Sequence, residues 1–85
     1  SDRDEEDENQ PRLHSVWLTP GASAIGKTLA ELDLEGMGCE VSAIRRRGIR
    51  AVEPAPETRL EIGDVVVVLG DPEAVSAAEE RLLQK

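Results

Sequence analysis

The chain has 85 residues and a formal net charge of −8 at pH 7, with one tryptophan and neither phenylalanine nor tyrosine. A chain this short builds at most one small domain. Its apolar runs are much shorter than the ~20 residues of a membrane-spanning helix, and its single cysteine excludes an internal disulfide. Since one thin core is marginally stable, we expect a homodimer.

The negative charge is concentrated at the amino terminus. Residues 1–10 hold six acids, one arginine and no apolar side chain, which gives net −5 and leaves −3 for the rest. Such a segment buries too little surface to offset its ordering entropy. We therefore predict a disordered acidic linker over residues 1–11 and one domain over residues 12–85.

The first predicted elements are a strand and a short helix. Residues 13–18 are bounded by prolines and predict a strand. Its two faces would carry His14, Val16 and Leu18 on one side and Leu13, Ser15 and Trp17 on the other. Ser23 is placed to cap a helix on which Ile25, Leu29 and Leu32 recur at helical spacing and which Gly36 and Gly38 end.

A hairpin is predicted next. Residues 39–46 read as a strand, with Cys39, Val41 and Ala43 on one face. Arg47-Gly48 can form a tight turn into a strand over residues 49–53, because glycine tolerates positive φ. Pro54 and Pro56 end that strand in an extended loop.

The last predicted elements are a buried strand and a closing helix. The four consecutive valines of residues 65–69 predict a strand buried on both faces. Asp71 is a good N-cap, Pro72 suits the first helical position, and Val75, Ala78 and Leu82 share one helix face. The sequence thus predicts an α+β fold, a small β-α-β-β-β-α domain with a mainly antiparallel sheet.

Residues 21–28, GASAIGKT, match the phosphate-binding loop G-x-x-x-x-G-K-[ST]. A working loop of this kind lies in a larger parallel sheet and needs a separate acid to hold Mg²⁺. The only acid that follows an apolar strand is Asp71, which the helix cap explains. We interpret the match as a Pro-Gly turn, a helix start and an exposed Lys27.

The arginines of the hairpin are the candidate ligand-binding residues: Arg45, Arg46, Arg47 and Arg50. They could hold a small anionic ligand, or they could form a solvated hairpin tip that protects a sheet edge. A short basic patch on an acidic chain lacks the footprint of a nucleic-acid-binding protein. His14 and Cys39 have no partners at metal-ligand or catalytic spacing, so we expect no metal, no cofactor and no enzymatic activity.

Several of these segments, taken in order, resemble a known domain. They are the first strand with Pro-Gly-x-Ser, residues 25–32 (IGKTLAEL), the Ile44-Arg45-Arg46 hairpin, Pro54 and Pro56, residues 60–70 (LEIGDVVVVLG) and the closing helix. Together they resemble the C-terminal regulatory domain of the RCK (TrkA-C) type over about residues 12–83, and most of all that of Kef-type monovalent cation:proton antiporters.

This resemblance implies a regulatory domain on the cytoplasmic side of the cell membrane, following a membrane antiporter and a Rossmann-type RCK domain. It implies pairing with a second copy and a relayed signal that controls K⁺/H⁺ exchange. Some members of the family bind cyclic di-AMP near the connection from the first helix to the second strand, here residues 34–40. That connection carries two glutamates and no basic residue to pair with phosphates. A sensor of a small anionic ligand such as a cyclic dinucleotide, in another channel or transporter, is therefore the alternative function.

Overall fold

The computed structural model of the protein describes residues 11–46 and 50–84. Its elements follow in this order: β1 (Arg12–Trp17), α1 (Leu29–Leu32), a 3-10 helix (Glu35–Met37), β2 (Glu40–Arg46), β3 (Arg50–Val52), β4 (Val65–Gly70) and α2 (Pro72–Leu83). The predicted β-α-β-β-β-α order and the α+β class are confirmed. The predicted acidic linker, except its last residue, and the Arg47-Gly48 turn lie outside the described residues.

The four strands form one sheet in the order β1-β4-β2-β3, and every neighbouring pair is antiparallel. β4 lies in the middle, with β1 on one side and β2 on the other. Val65 is the register partner of both Trp17 and Arg45, and Val67 pairs with Ser15 and Ala43. The chain therefore crosses over from β1 to β2 and returns through β4 between them.

Both helices lie against one face of this sheet and enclose the core. Its fully buried members from the sheet are Val16, Ile44, Val66 and Val68, and those from the rest of the chain include Leu18, Leu60, Ala78 and Leu82. Val75, Ala78 and Leu82 lie on the inner face of α2, as the sequence predicts. Burying a branched aliphatic side chain contributes about 1.5–3 kcal/mol, so this layer is the main source of stability.

The prediction that β4 is buried on both faces is wrong for the single chain. Val66 and Val68 are inaccessible, whereas Val65, Val67 and Leu69 are only half-buried. All helices of the described residues pack on the side of Val66 and Val68, which leaves the other face of the sheet open. The run of valines therefore indicates a central strand, and none of the residues that the structure describes covers its second face.

The predicted facing of β2 also needs correction. Val41 pairs with Val68 and faces the core, whereas Ala43 pairs with Val67 and faces away from it. The cause is a β-bulge between Val41 and Ala43, which inserts one extra residue and reverses the alternation.

The first helix is much shorter than predicted and does not begin at Ser23. α1 begins after Thr28, and the Ser23 hydroxyl instead donates to the carbonyl of Arg81, 2.9 Å away. Residues 23–26 form turns, and Gly26 has φ +88°, which cannot continue a helix. Asp33, with φ 49°, ends α1 after four residues.

The predicted start of the second helix is confirmed. The carboxylate of Asp71 accepts a hydrogen bond from Ala74 N at 2.8 Å, and Pro72 occupies the first helical position. Neither of the described helices has the length and apolar character needed to cross a bilayer.

Candidate ligand groove

A groove of about 180 Å³ opens where α1 and the turn after it meet β2. The lining residues are Leu29, Ala30, Asp33, Leu34, Glu35, Glu40, Val41, Pro54 and Pro56. Two segments distant in sequence therefore form its walls. One is the predicted connection of residues 34–40 with its flanks, and the other is the proline loop after β3.

Backbone hydrogen bonds hold the proline loop against α1. Ala30 N donates to the carbonyl of Pro56 at 2.9 Å, and Leu29 N donates to that of Thr58 at 3.2 Å. The Thr58 hydroxyl donates to the carbonyl of Glu53 at 2.7 Å and accepts from Ala55 N at 3.1 Å. The loop is not extended as predicted, because Thr58 N donates to the carbonyl of Ala55 at 2.9 Å and residues 56–57 form a turn. Pro54 and Pro56 both line the groove.

A capping box fixes the start of α1. Thr28 N donates to Glu31 Oε2 at 2.7 Å, and Glu31 N donates back to the Thr28 hydroxyl at 3.2 Å. The first of these hydrogen bonds lowers the pKa of Glu31 against the opposing effect of desolvation, and the hydroxyl of Thr28 and the charges of Arg59 and Lys27 lower it further. The helix that forms the groove wall is thus ordered locally despite its length of one turn.

The rim of the groove is acidic. Asp33 and Glu35 are acidic residues of the wall after α1, Glu40 lines the groove at the start of β2, and no lysine or arginine is among the lining residues. One carboxylate oxygen of Asp33 is already engaged by Gly36 N, at 3.3 Å. An apolar interior with an acidic rim favours neutral or cationic groups and repels phosphate.

The predicted arginine cluster is not part of this groove. Arg46 is engaged by acids of its own chain: its Nε and Nη2 bond the two oxygens of Asp64 at 2.9 Å each, and its Nη1 lies 3.1 Å from Glu61 Oε2. Its Nη2 also donates to the carbonyl of Arg59 at 3.1 Å. Hydrogen bonding to Asp64 raises the pKa of Arg46, so this guanidinium is a fixed structural cation.

The other arginines are separated by the strand geometry. Arg45 is exposed and pairs with Val65 and Ala51, on the face opposite to Arg46. Arg50 is exposed and pairs with Arg46 across the hairpin. Arg47 lies outside the described residues. Ligand binding by this cluster stays a prediction, and Arg45 and Arg50 are its members with exposed side chains.

Most backbone N–H groups of the loop that resembles a phosphate-binding motif are already hydrogen-bonded within the chain. Its backbone N–H groups bond carbonyl oxygens as follows: Ala22 to Thr19, Ala24 to Leu82, Ile25 to Ala22, Gly26 to Leu60 and Lys27 to Ala24, at 2.8–3.3 Å. A phosphate cradle needs several of these groups to converge on the ligand. The motif match is explained by turn formation and by the cap at Thr28.

His14 has a structural partner, and Cys39 is buried. His14 Nε2 lies 3.2 Å from Glu79 Oε2, which joins β1 to α2. Cys39 is buried, and desolvation together with the charge of Asp71 raises the pKa of its thiol. A raised pKa disfavours the reactive thiolate. Within the described residues no group of three His, Cys, Asp or Glu could hold a metal ion.

Comparison with known proteins identifies the domain. The family profile described as the TrkA-C domain matches residues 13–83. The chain belongs to the TrkA-C family. The resemblance seen in the sequence is thereby confirmed.

One relative of this TrkA-C domain is the "Putative K(+) efflux antiporter KefB" of Alkalimonas amylolytica. It is 32% identical over 71 residues, which cover 84% of this chain and 11% of the antiporter. The chain spans at most 14% of the length of the curated transporters it matches.

Two solved structures show the same fold as this TrkA-C domain. The RCK_C domain dimer of S. agalactiae BusR has a TM-score of 0.72 at 19% identity and covers 86% of this chain and 97% of that chain. The RCK C domain of the potassium transport protein KtrA also has a TM-score of 0.72, at 24% identity. The match covers 93% of this chain and 91% of that chain. Both were solved in complex with c-di-AMP.

Sequence reasoning located only one wall of the groove. The connection of residues 34–40 was identified by resemblance, whereas the contribution of Pro54 and Pro56 was missed. The two prolines indicated an extended loop, but its docking on α1 depends on backbone hydrogen bonds between residues some 26–29 positions apart. A sequence pattern carries no signal for such a pairing.

Proposed function

We propose that this TrkA-C domain is a non-catalytic, cytoplasmic regulatory and dimerisation domain of a K⁺ transport system, namely a K⁺/H⁺ antiporter of the Kef type. The observation that carries the proposal is the family match over residues 13–83, nearly the whole described domain. The relative named as a K⁺ efflux antiporter adds the transported ion and the class of transporter. The membrane antiporter and a Rossmann-type RCK domain would precede this domain in the full-length protein.

The groove gives such a domain a means of responding to a ligand. Its walls come from α1 with the following turn and from the proline loop, which are held together by two backbone hydrogen bonds. A ligand that contacts both walls binds one arrangement of them better than another. Differential binding of this kind is what shifts a conformational equilibrium.

The alternative function is sensing of a small anionic ligand such as a cyclic dinucleotide in another channel or transporter. Two neighbours with this fold were solved with c-di-AMP, and the groove is large enough for about one ring system rather than a whole dinucleotide, as in a site shared by two copies. Against this, Asp33 and Glu35 in the groove wall would face the phosphates. Charge therefore favours the first proposal over the second.

The sequence of the encoding gene upstream of Ser1 tests the proposal directly. We expect ten or more apolar segments of about 20 residues, followed by a G-x-G-x-x-G motif between a strand and a helix. A DNA-binding segment in place of the membrane segments would contradict the transporter assignment. Membrane segments of a channel, with fewer spans, would support the alternative.

A further inference from the structure

The face of the sheet opposite the helices, here called the open face, consists of three rows of side chains defined by the strand register. The first row is Trp17, Val65, Arg45 and Ala51, the middle row is Ser15, Val67 and Ala43, and the third row is Leu13, Leu69 and Glu40. Leu13 is 63% exposed and Trp17 is 61% exposed. Seven of these ten residues are apolar.

This composition is not that of a solvated face. An antiparallel sheet with one face in water normally alternates apolar and polar residues along each strand. Along β4, however, both faces are aliphatic, since Val65, Val67 and Leu69 alternate with Val66 and Val68. The open face therefore has the composition of a packed surface, and none of the described residues covers it.

The arrangement of charge on the open face is complementary to itself. Glu40 lies near the start of β2 in the third row, and Arg45 lies near its end in the first row. Within the described strands, they are the only charged residues on the open face. The middle row contains the small side chains of Ser15 and Ala43. A two-fold axis along the middle row would bring the first row of one copy over the third row of the other.

We propose that the open face packs against the open face of a second copy about this axis, with strands running antiparallel. The inference rests on the proposed dimerisation and assigns the surface that carries it. Arg45 of each copy then faces Glu40 of the other, and Trp17 lies over Leu13. The other face-to-face arrangement, with its axis along the strands, sets each Glu40 against Leu13 and leaves the carboxylate without a partner.

The size of the open face sets the strength of this contact. Three to four strands about 4.8 Å apart and six residues long give a footprint of roughly 300 Å². A standard interface buries about 800 Å² per partner. The contact is therefore weak on its own, and its population rises with protein concentration.

Trp17 reports directly on the contact because it is the only tryptophan of the chain. Sedimentation equilibrium and tryptophan emission are measured together from 10 µM to 1 mM. Association accompanied by a blue shift of the emission is expected, since the exposed indole becomes covered. Association without any shift overturns the open face as the interface and leaves dimerisation standing. A monomer at 1 mM contradicts the proposed dimerisation itself.

A charge swap tests the orientation. Glu40→Arg and Arg45→Glu each create two like-charge contacts in the dimer and should weaken association at least fivefold, whereas the double variant should restore it. Glu57→Arg, in an exposed turn off the sheet, is the matched control and should change association less than twofold. Failure of the double variant to recover overturns the proposed axis. A blue shift that appears only when the upstream part of the gene product is attached assigns the open face to that segment and overturns the second copy as its occupant.

Discussion

Arg46 and Asp64 form a two-pronged ion pair in which Nε and Nη2 of the arginine each lie 2.9 Å from a carboxylate oxygen. Asp64 is completely buried, and it also accepts the backbone N–H of Glu61 at 2.9 Å. The pair joins the end of β2 to the turn that begins β4. It is also the reason why one of the predicted ligand arginines has a structural role.

Replacing Arg46 by glutamine should lower the free energy of unfolding by about 3 kcal/mol, because a buried carboxylate then loses its cation. The neighbouring change Arg45→Gln, on an exposed side chain, should cost less than about 0.5 kcal/mol. Urea unfolding followed by circular dichroism at low micromolar concentration compares them without a contribution from association. Equal losses in both variants would show that the ion pair is not a stabilising contact.

The capping box predicts that the stability of the domain depends on pH through the ionisation of Glu31. The hydrogen bond from Thr28 N lowers the pKa of this carboxyl in the folded state below the ordinary value of 4.5. Its contribution to stability is therefore complete above about pH 4.5 and is lost as the pH falls through the lower folded value. Glu31→Gln should reduce the melting temperature at pH 7, and the difference from the wild type should vanish toward pH 2–3.

Glu57→Gln is the control for this experiment, because Glu57 is exposed in the turn beside the groove. Its melting temperature should follow the wild type at every pH. A Glu31→Gln variant that differs from the wild type equally at pH 3 and pH 7 would refute the linkage to this carboxyl.

The sequence predicted the element types, their order and most of the core, since these follow from local periodicity and caps. Asp71 with Pro72 marks the start of α2, and Val75, Ala78 and Leu82 mark its inner face. The predictions fail where a contact between residues distant in sequence determines the local structure. The bulge at Val41–Ala43 is set by pairing with β4, Ser23 bonds Arg81 instead of capping a helix, and the proline loop docks on α1.

Charge in the groove predicts poor binding of c-di-AMP. We expect calorimetry to give a Kd no tighter than about 100 µM for the wild type. Glu35→Gln should improve binding by about fivefold, since one like charge about 4 Å from a phosphate costs on the order of 1 kcal/mol in water. The control variant Glu57→Gln should leave the Kd unchanged. A wild-type Kd near 1 µM would instead support the sensing alternative.

Magnesium complexes of ATP and GTP should bind no better than about 1 mM, because the N–H groups of residue 22 and of residues 24–27 in the loop are bonded to carbonyls. Lys27→Ala should make no difference to this weak binding. Calorimetry that shows a micromolar Kd abolished by Lys27→Ala would restore the phosphate-binding interpretation of the loop.

The most direct test of the regulatory role is K⁺ flux by the full-length gene product in membrane vesicles that lack other K⁺ transporters. The intact protein is compared with a version that lacks residues 12–85, after membrane amounts are matched by quantitative blotting. We expect K⁺/H⁺ exchange in both, with a rate that changes at least threefold on deletion. Identical rates with and without the domain, or vesicles without K⁺ transport in either case, would contradict this expectation.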